Sequence, residues 1–97
     1  MQPQPRDSRI PRVVHRRDPH DVYIGRPSKW GNPFVIGRDG DRAAVIARYE
    51  QHVRAERPDL LAALPELYGK ALGCYCAPLP CHGDVLAKLV AEQLAEA

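Results

Sequence analysis

Residues Cys81-His82-Gly83-Asp84 place a thiol, an imidazole and a carboxylate at the start of an apolar helical pattern that runs to Glu96. A helix N-terminus stabilises an anion or a thiolate through its unpaired N–H groups and its macrodipole. Imidazole titrates near neutral pH and is suited to proton transfer. We therefore predict acid–base roles for His82 and Asp84 and a catalytic thiol at Cys81, although Asp84 would also simply complement the helix dipole.

A second candidate motif is the loop GRPSKWGNPF, residues 25–34. Arg26 and Lys29 supply positive charges that suit a phosphate or a carboxylate. Trp30 could stack on a base, or it could fill the core beneath the loop. The Asn32 amide offers a donor and an acceptor that would orient a sugar hydroxyl. The predicted ligand-binding residues are Arg26, Ser28, Lys29, Trp30, Asn32 and Gly83.

The three cysteines allow three interpretations. On a strand, Cys74 and Cys76 would point to the same face, so that with Cys81 and His82 they could form a Cys3His zinc site. Structural zinc sites usually have C-x2-C spacing, however, and here all four ligands lie on one segment. Cys81 could instead be a nucleophile. The simplest interpretation is three small buried residues, so no cofactor is favoured and zinc is the alternative.

The rest of the sequence predicts the elements that hold these motifs. Apolar spacing predicts a long helix over 41–56, a short helix over 59–64 that restarts at Pro65, and a final helix over 82–96. Strands are predicted over 13–15, 21–25 and 70–76, with a further strand over 34–36.

The order of these elements is β-α-β-α. Strands joined through helices are expected to be parallel, so the loops that follow them emerge at one edge of the sheet. Ligands of open α/β sheets bind outside the carboxyl ends of the strands. We therefore predict a small single-domain Rossmann-like β-α-β-α sandwich with a short, mainly parallel sheet, in which the GRPSKWGNP and CHGD loops form one site.

The whole chain has 97 residues and a net charge of +2. Residues 1–10 are predicted to be a flexible, basic and proline-rich leader, and residues 11–97 a single domain. Arginines near the front could bind nucleic-acid phosphates. No apolar run approaches the roughly 20 residues of a membrane span, and no secretory signal is visible, so we expect a cytoplasmic protein without a membrane partner. Exposed sheet edges could pair in a homodimer.

Two segments, VYIGRPSKWGNPF and GKALGCYCAPLPCHGDVL, resemble the family called domain of unknown function 4326, which occurs in bacteria, phages and some eukaryotes. The resemblance covers residues 22 to about 90. The two signatures of the family, GNP and CHG followed by an acid or histidine, stand here as residues 31–33 and 81–84. The resemblance implies a family but no reaction.

Two functions follow from these patterns. The first is a small ligand-binding protein or enzyme, a hydrolase or a group-transfer enzyme, that acts on a nucleotide, a nucleoside or a nucleotide-derived anion. In this function Arg26 and Lys29 hold phosphate, Asn32 orients the ligand, and His82 with Asp84 transfers protons. The alternative is a zinc-stabilised, non-catalytic module that binds nucleic acid or a protein.

Overall fold

The computed structural model describes residues 8–96. Residues 1–7, which make up most of the predicted leader, lie outside the described part of the chain. The strands are β1 (Arg12–His15), β2 (Val22–Tyr23) and β3 (Ala71–Cys74). The helices are α1 (Arg42–Glu56), α2 (Pro58–Ala63) and α3 (His82–Glu96), and a 3-10 helix spans Leu64–Leu67.

The strands form one parallel sheet in the order β1-β3-β2. β3 is the central strand, and all four of its residues are buried. Its apolar run ALGC, without polar alternation, is typical of a parallel strand that is covered on both faces. Asp21 fixes the start of β2, because its carboxylate accepts the Ala71 N–H at 2.8 Å while its own N–H bonds the Ala71 carbonyl. The predicted α/β fold with a short parallel sheet is confirmed.

The long helices follow their predicted bounds closely. Asp41 is the N-cap of α1, where its side chain accepts the Ala44 N–H at 2.9 Å. Pro58 cannot continue α1, and it begins α2 at the position where proline is tolerated. α1 and α3 pack against each other, and both bury apolar faces in one core, made by Val45, Tyr49, Val53, Val85, Leu86, Leu89 and Val90.

Three strand predictions differ from the structure. The strand predicted over 21–25 spans only Val22–Tyr23, because Gly25 already begins a turn in which its carbonyl accepts the Ser28 N–H. The strand predicted over 34–36 is wrong, because its N–H groups are used in local turns: Phe34 N–H bonds the Asn32 side chain and Val35 N–H bonds Asp39. The strand predicted over 70–76 ends early, at Cys74. β1 pairs with β3 only as far as Cys74, opposite His15. The Cys76 N–H therefore donates to the Cys74 sulfur instead of to a neighbouring strand. Cys74 and Cys76 therefore do not share a strand face.

Gly83 allows α3 to approach the sheet closely. A Cβ at this position would lie 2.8 Å from Ile24 Cδ1 and 2.8 Å from Val13 Cγ2, closer than real contacts permit. Ile24 is fully buried, and Val13 is branched and stiff, so neither side chain can yield freely. The glycine is needed for packing between the helix and the sheet.

Substituting Gly83 by alanine is therefore expected to lower the free energy of unfolding by about 1 to 2 kcal/mol, the cost of overpacking a core. Helix propensity alone would change stability in the other direction, by up to about 1 kcal/mol. Urea unfolding followed by circular dichroism measures whether Gly83→Ala lowers or raises the free energy of unfolding. An increase in stability would contradict the close packing described here.

Candidate functional site

A cleft of about 240 Å3 opens at the carboxyl ends of the strands. One wall is the loop after β2, with Gly25, Arg26 and Asn32, and the facing wall is the loop after β3 together with the start of α3. The N-terminal half of α1 closes one side. The GRPSKWGNP and CHGD loops thus lie next to each other, as parallel strands require.

Two arginines give the cleft a positive wall. Arg26 is exposed and lines the cleft, and among residues 8–96 its guanidinium meets no carboxylate. Arg42 lies at the start of α1 and donates to the Pro80 carbonyl at 3.1 Å, which holds its guanidinium beside the loop after β3. A pair of guanidinium groups without acidic partners suits a phosphate or a carboxylate.

His82 lies between the two loops rather than at the surface. Its side chain is 9% exposed, Nε2 lies 2.7 Å from the Ile24 carbonyl oxygen, and its ring packs edge-on against Tyr49. Burial lowers the pKa of His82, and the nearby charge of Arg26 lowers it further. The imidazole is therefore neutral at pH 7, and since Nε2 must donate to a carbonyl oxygen, Nδ1 carries the lone pair.

Nδ1 of His82 has no hydrogen-bond partner in the described part of the chain, and His82 is one of the residues that line the cleft. A neutral imidazole whose orientation is fixed by a backbone carbonyl can accept a proton or a hydrogen bond from a ligand. The predicted acid–base group is in this way held at the site with a defined tautomer.

Asp84 and Cys81 form the cap of α3. The Asp84 carboxylate accepts the Cys81 N–H at 3.0 Å, and the Cys81 sulfur accepts the Gly83 N–H at 3.3 Å. The bond from the Cys81 N–H to Asp84 is one half of a capping box, in which the N3 side chain accepts the N-cap N–H, while the N-cap sulfur here accepts the N–H of the second helical residue. Asp84 is exposed and does not line the cleft, so its contacts are those of a capping residue.

Cys74 and Cys81 bring their sulfur atoms to 2.9 Å at the floor of the cleft. The two thiols share a hydrogen bond, which together with the backbone N–H groups of Cys76 and Ala77 lowers the pKa of Cys74. The same bond and burial raise the pKa of Cys81. The two protons of such a pair are lost in separate steps that belong to the pair as a whole.

Sequence reasoning assigned the reactive thiol to Cys81 and treated Cys74 as a buried apolar residue. The contacts make Cys74 a second candidate for the thiolate, because the hydrogen bond shared with Cys81 and the backbone N–H groups of Cys76 and Ala77 lower its pKa. The sequence did contain an indication of this role. A cysteine at the last position of a strand is followed by a turn whose free N–H groups can surround its sulfur.

The other residues predicted to bind a ligand lie elsewhere. Lys29 pairs with Glu66 at 2.9 Å, away from the cleft lining, and Trp30 is 3% exposed and packs in the core. Ser28 Oγ is buried without a hydrogen-bond partner among residues 8–96. Asn32 reaches the cleft, but its amide donates to Val45 and accepts from Phe34, so both of its ends are occupied.

Apolar and aromatic side chains that the sequence did not single out complete the cleft. Phe34 and Ile36 line it beside α1, and Tyr75 lies at its rim with 58% of its surface exposed. The Arg16 guanidinium lies 4.3 Å from the centre of the Tyr75 ring, so one arginine of the basic front segment reaches the rim. These groups offer a surface on which a planar ring can lie.

The described part of the chain has no ready-made site for the metal ion that the sequence allowed as an alternative. No group of three or more His, Cys, Asp or Glu residues there is arranged to hold a metal ion. Cys76 faces Cys74 only through its backbone, and His82 Nε2 is taken by Ile24. The Cys3His set stays a prediction. Separately, no helix among residues 8–96 is long and apolar enough to cross a bilayer.

Comparison with known proteins gives one family and viral relatives. The model of the family described as "Domain of unknown function (DUF4326)" matches residues 11–92. An uncharacterized 12.4 kDa protein from the nrdA-td intergenic region of Enterobacteria phage T4 is 39% identical over 87 residues, which cover 84% of this chain and 79% of the phage protein. Uncharacterized protein R718 of Acanthamoeba polyphaga mimivirus is 36% identical over 87 residues, 71% of this chain and 65% of that protein. No solved structure matches the chain significantly.

Proposed function

The chain belongs to the family described as domain of unknown function 4326, and we propose that its cleft binds a nucleotide or a nucleotide-derived anion. The observation that carries the proposal is the convergence of Arg26, His82 and Tyr75 on one cleft at the carboxyl ends of parallel strands. Arg26 and Tyr75 supply two kinds of contact, one for an anionic group and one for a ring. His82 supplies a third kind of contact, because its Nδ1 is a hydrogen-bond acceptor in a ring of fixed tautomer.

The charge of the cleft supports an anionic ligand. Arg26 has no carboxylate partner among residues 8–96, and Arg42 lines the same cleft, where its guanidinium donates to the Pro80 carbonyl. Guanidinium groups bind phosphate oxygens in bidentate geometry, and charge-assisted bonds of this kind are about twice as strong as neutral ones. An anionic group in the cleft would replace water on either guanidinium.

The apolar part of the cleft supports a ring next to that anion. Phe34, Ile36 and Tyr75 present apolar surface near the arginines, and the cleft volume of about 240 Å3 admits one small molecule. A base or another planar ring against this surface would leave its polar edge towards solvent. The combination of phosphate and ring is the chemistry of a nucleotide.

His82 supports an acid–base step on such a ligand. Its neutral ring, oriented by Ile24, has Nδ1 available to accept a proton from a water molecule or from a ligand hydroxyl. Hydrolysis and group transfer are reaction classes that can use such a base. We assign His82 as the candidate base, with Asp84 confined to capping α3.

Substituting Arg26 by alanine is expected to weaken nucleotide binding by about tenfold, since the loss of one partly exposed charge-assisted bond costs about 1.4 kcal/mol. A panel of nucleoside mono-, di- and triphosphates and the corresponding nucleosides is titrated by calorimetry and by NMR chemical-shift changes. We expect phosphorylated members to bind more tightly than nucleosides, with shifts at residues 25–26 and 74–82.

Lys29 provides the matched control, because it belongs to the same loop and carries the same charge but pairs with Glu66 outside the cleft. Lys29→Ala is expected to leave binding unchanged. Equal weakening by both substitutions would show non-specific attraction to a basic surface, and equal affinity for nucleosides and nucleotides would exclude the phosphate contact.

A further inference from the structure

Two thiols at the floor of the cleft are not used by the proposed ligand contacts. Cys74 ends the central strand β3, Cys81 caps α3, and the loop between them returns the chain so that their sulfur atoms lie 2.9 Å apart. This separation is shorter than an ordinary non-bonded contact, and a disulfide bond is about 2.05 Å long. Little movement of the side chains would join them.

The surroundings distinguish the two sulfurs. The two sulfurs share one hydrogen bond, and Cys74 also accepts the Cys76 N–H at 3.2 Å, which would stabilise a thiolate at the end of β3. The Cys81 sulfur lies at the N-terminus of α3, where the Gly83 N–H would stabilise negative charge when it forms. A thiolate beside a second thiol is the arrangement of a nucleophile with a resolving partner.

Access to the pair is narrow. Cys74 is 1% exposed and Cys81 is 2% exposed, although both line the cleft. A small hydroperoxide needs a narrower opening to reach these sulfurs than a bulky disulfide does. The geometry selects a small oxidant.

We propose that Cys74 and Cys81 form a redox-active dithiol that small hydroperoxides convert to an intramolecular disulfide. This inference does not depend on the nucleotide proposal, because it requires no ligand in the cleft. It goes beyond a structural role for the cysteines, since burial alone would not require two sulfurs in contact at a cleft floor.

The reaction has two balanced steps. The Cys74 thiolate attacks one peroxide oxygen, the O–O bond breaks, hydroxide leaves, and Cys74 becomes a sulfenic acid. The Cys81 sulfur then attacks the Cys74 sulfur, the S–O bond breaks, and the departing hydroxide takes the Cys81 proton and leaves as water. Together the two sulfurs lose two electrons, and the peroxide is reduced to water and hydroxide. A small dithiol restores the pair by exchange when local opening of the loop between the two sulfurs admits it.

The test uses the full chain without ligand and hydrogen peroxide as the oxidant. After treatment with a few equivalents, the protein is denatured so that buried thiols become accessible, the remaining thiols are alkylated with N-ethylmaleimide, and the protein mass is measured. Two of the three thiols are expected to escape alkylation, with the loss of two hydrogen atoms and full recovery after dithiothreitol. Tandem mass spectrometry of the tryptic peptide 71–88 should place the single maleimide on Cys76.

Variants assign the roles of the sulfurs. Cys81→Ala is expected to stop at the sulfenic acid, which dimedone traps on Cys74, and Cys76→Ala should close the bridge as the parent does. Three alkylated thiols after peroxide treatment, or a maleimide found on Cys74 or Cys81, would overturn the proposal. Because the tandem measurement uses the unaltered chain, it decides the question even when a variant folds poorly.

Discussion

Replacing Trp30 by alanine is expected to lower the free energy of unfolding by about 3 to 5 kcal/mol, the usual cost of truncating a buried aromatic residue. Trp30 is 3% exposed and belongs to the same buried cluster as Tyr49, whose hydroxyl donates to the Trp30 carbonyl at 2.8 Å. Small domains are stable by about 5 to 15 kcal/mol, so this single change would remove a large part of the total. Urea unfolding followed by circular dichroism measures it.

Two comparisons separate a core residue from a ligand platform. Trp30→Phe keeps part of the buried volume and is expected to recover more than half of the lost stability. Tyr75→Ala removes an aromatic ring that is 58% exposed at the cleft rim, so it should change stability by no more than about 1 kcal/mol while weakening nucleotide binding. If Trp30→Ala kept full stability and lost binding instead, the stacking role predicted from the sequence would replace the core role.

The elements that hold the site were predictable because they depend on local patterns. The apolar spacing of Val45, Tyr49 and Val53 defines one face of α1, and Asp41 marks its first turn. The spacing in α3 does the same. Strands separated by helices are parallel in nearly all α/β folds, so the meeting of the two loops followed from the order of elements alone. Periodicity and connectivity are properties of the sequence itself.

The direction of individual loop side chains was not predictable in the same way. Arg26 and Lys29 stand three positions apart in one loop, yet Arg26 lines the cleft and Lys29 reaches Glu66. Which side each takes depends on the path of a loop without a repeating pattern and on a partner 37 residues away. The direction of Lys29 depends on where Glu66 lies in three dimensions, and the local sequence around Lys29 does not reveal that.

The thiol pair shows how two residues of difference in a strand end change the chemistry. With β3 extended to residue 76, Cys74 and Cys76 would share a face and invite a zinc interpretation. Because β3 ends at Cys74, the Cys76 N–H turns back to the Cys74 sulfur, and Cys81 becomes the neighbouring thiol. Strand ends are the least predictable part of an element, since they depend on where the neighbouring strand stops.

His82 joins these features, because it links α3 to the chain just after β2 while its ring borders the cleft. Its Nε2 bonds the Ile24 carbonyl at 2.7 Å, and charged or titratable neighbours approach from several elements, namely Arg26, Cys74 and Asp84, with Tyr49 against the ring. Of these influences burial is the largest, and it lowers the pKa of His82. The folded protein thus binds a proton here less readily than the unfolded chain, whose histidines titrate near 6.5.

Substituting His82 by alanine is therefore expected to have two effects. Near pH 8, the lost bond to a buried carbonyl and the space left by the ring lower the free energy of unfolding by about 2 to 4 kcal/mol. As the pH falls below about 6.5, the unfolded chain gains a proton on His82 before the folded protein does, so the parent loses stability that is fully present above that pH. The alanine variant lacks this loss, so the difference between the two proteins narrows towards pH 5.

The pH range of about 5 to 8 isolates this effect from the acidic side chains, because ion pairs lower the pKa values of Asp39, Glu50 and Asp59 and keep them ionised there. The thiol pair titrates in both proteins, so the effect of His82 is read from the difference between the stability curves of the parent and of His82→Ala. His52→Gln is the matched control, since His52 lies on α1 and pairs with Glu56 outside the cleft. The difference in free energy of unfolding between His52→Gln and His82→Ala should also narrow on acidification. A difference between the parent and His82→Ala that stays constant with pH would mean that His82 is not the neutral, buried base inferred here.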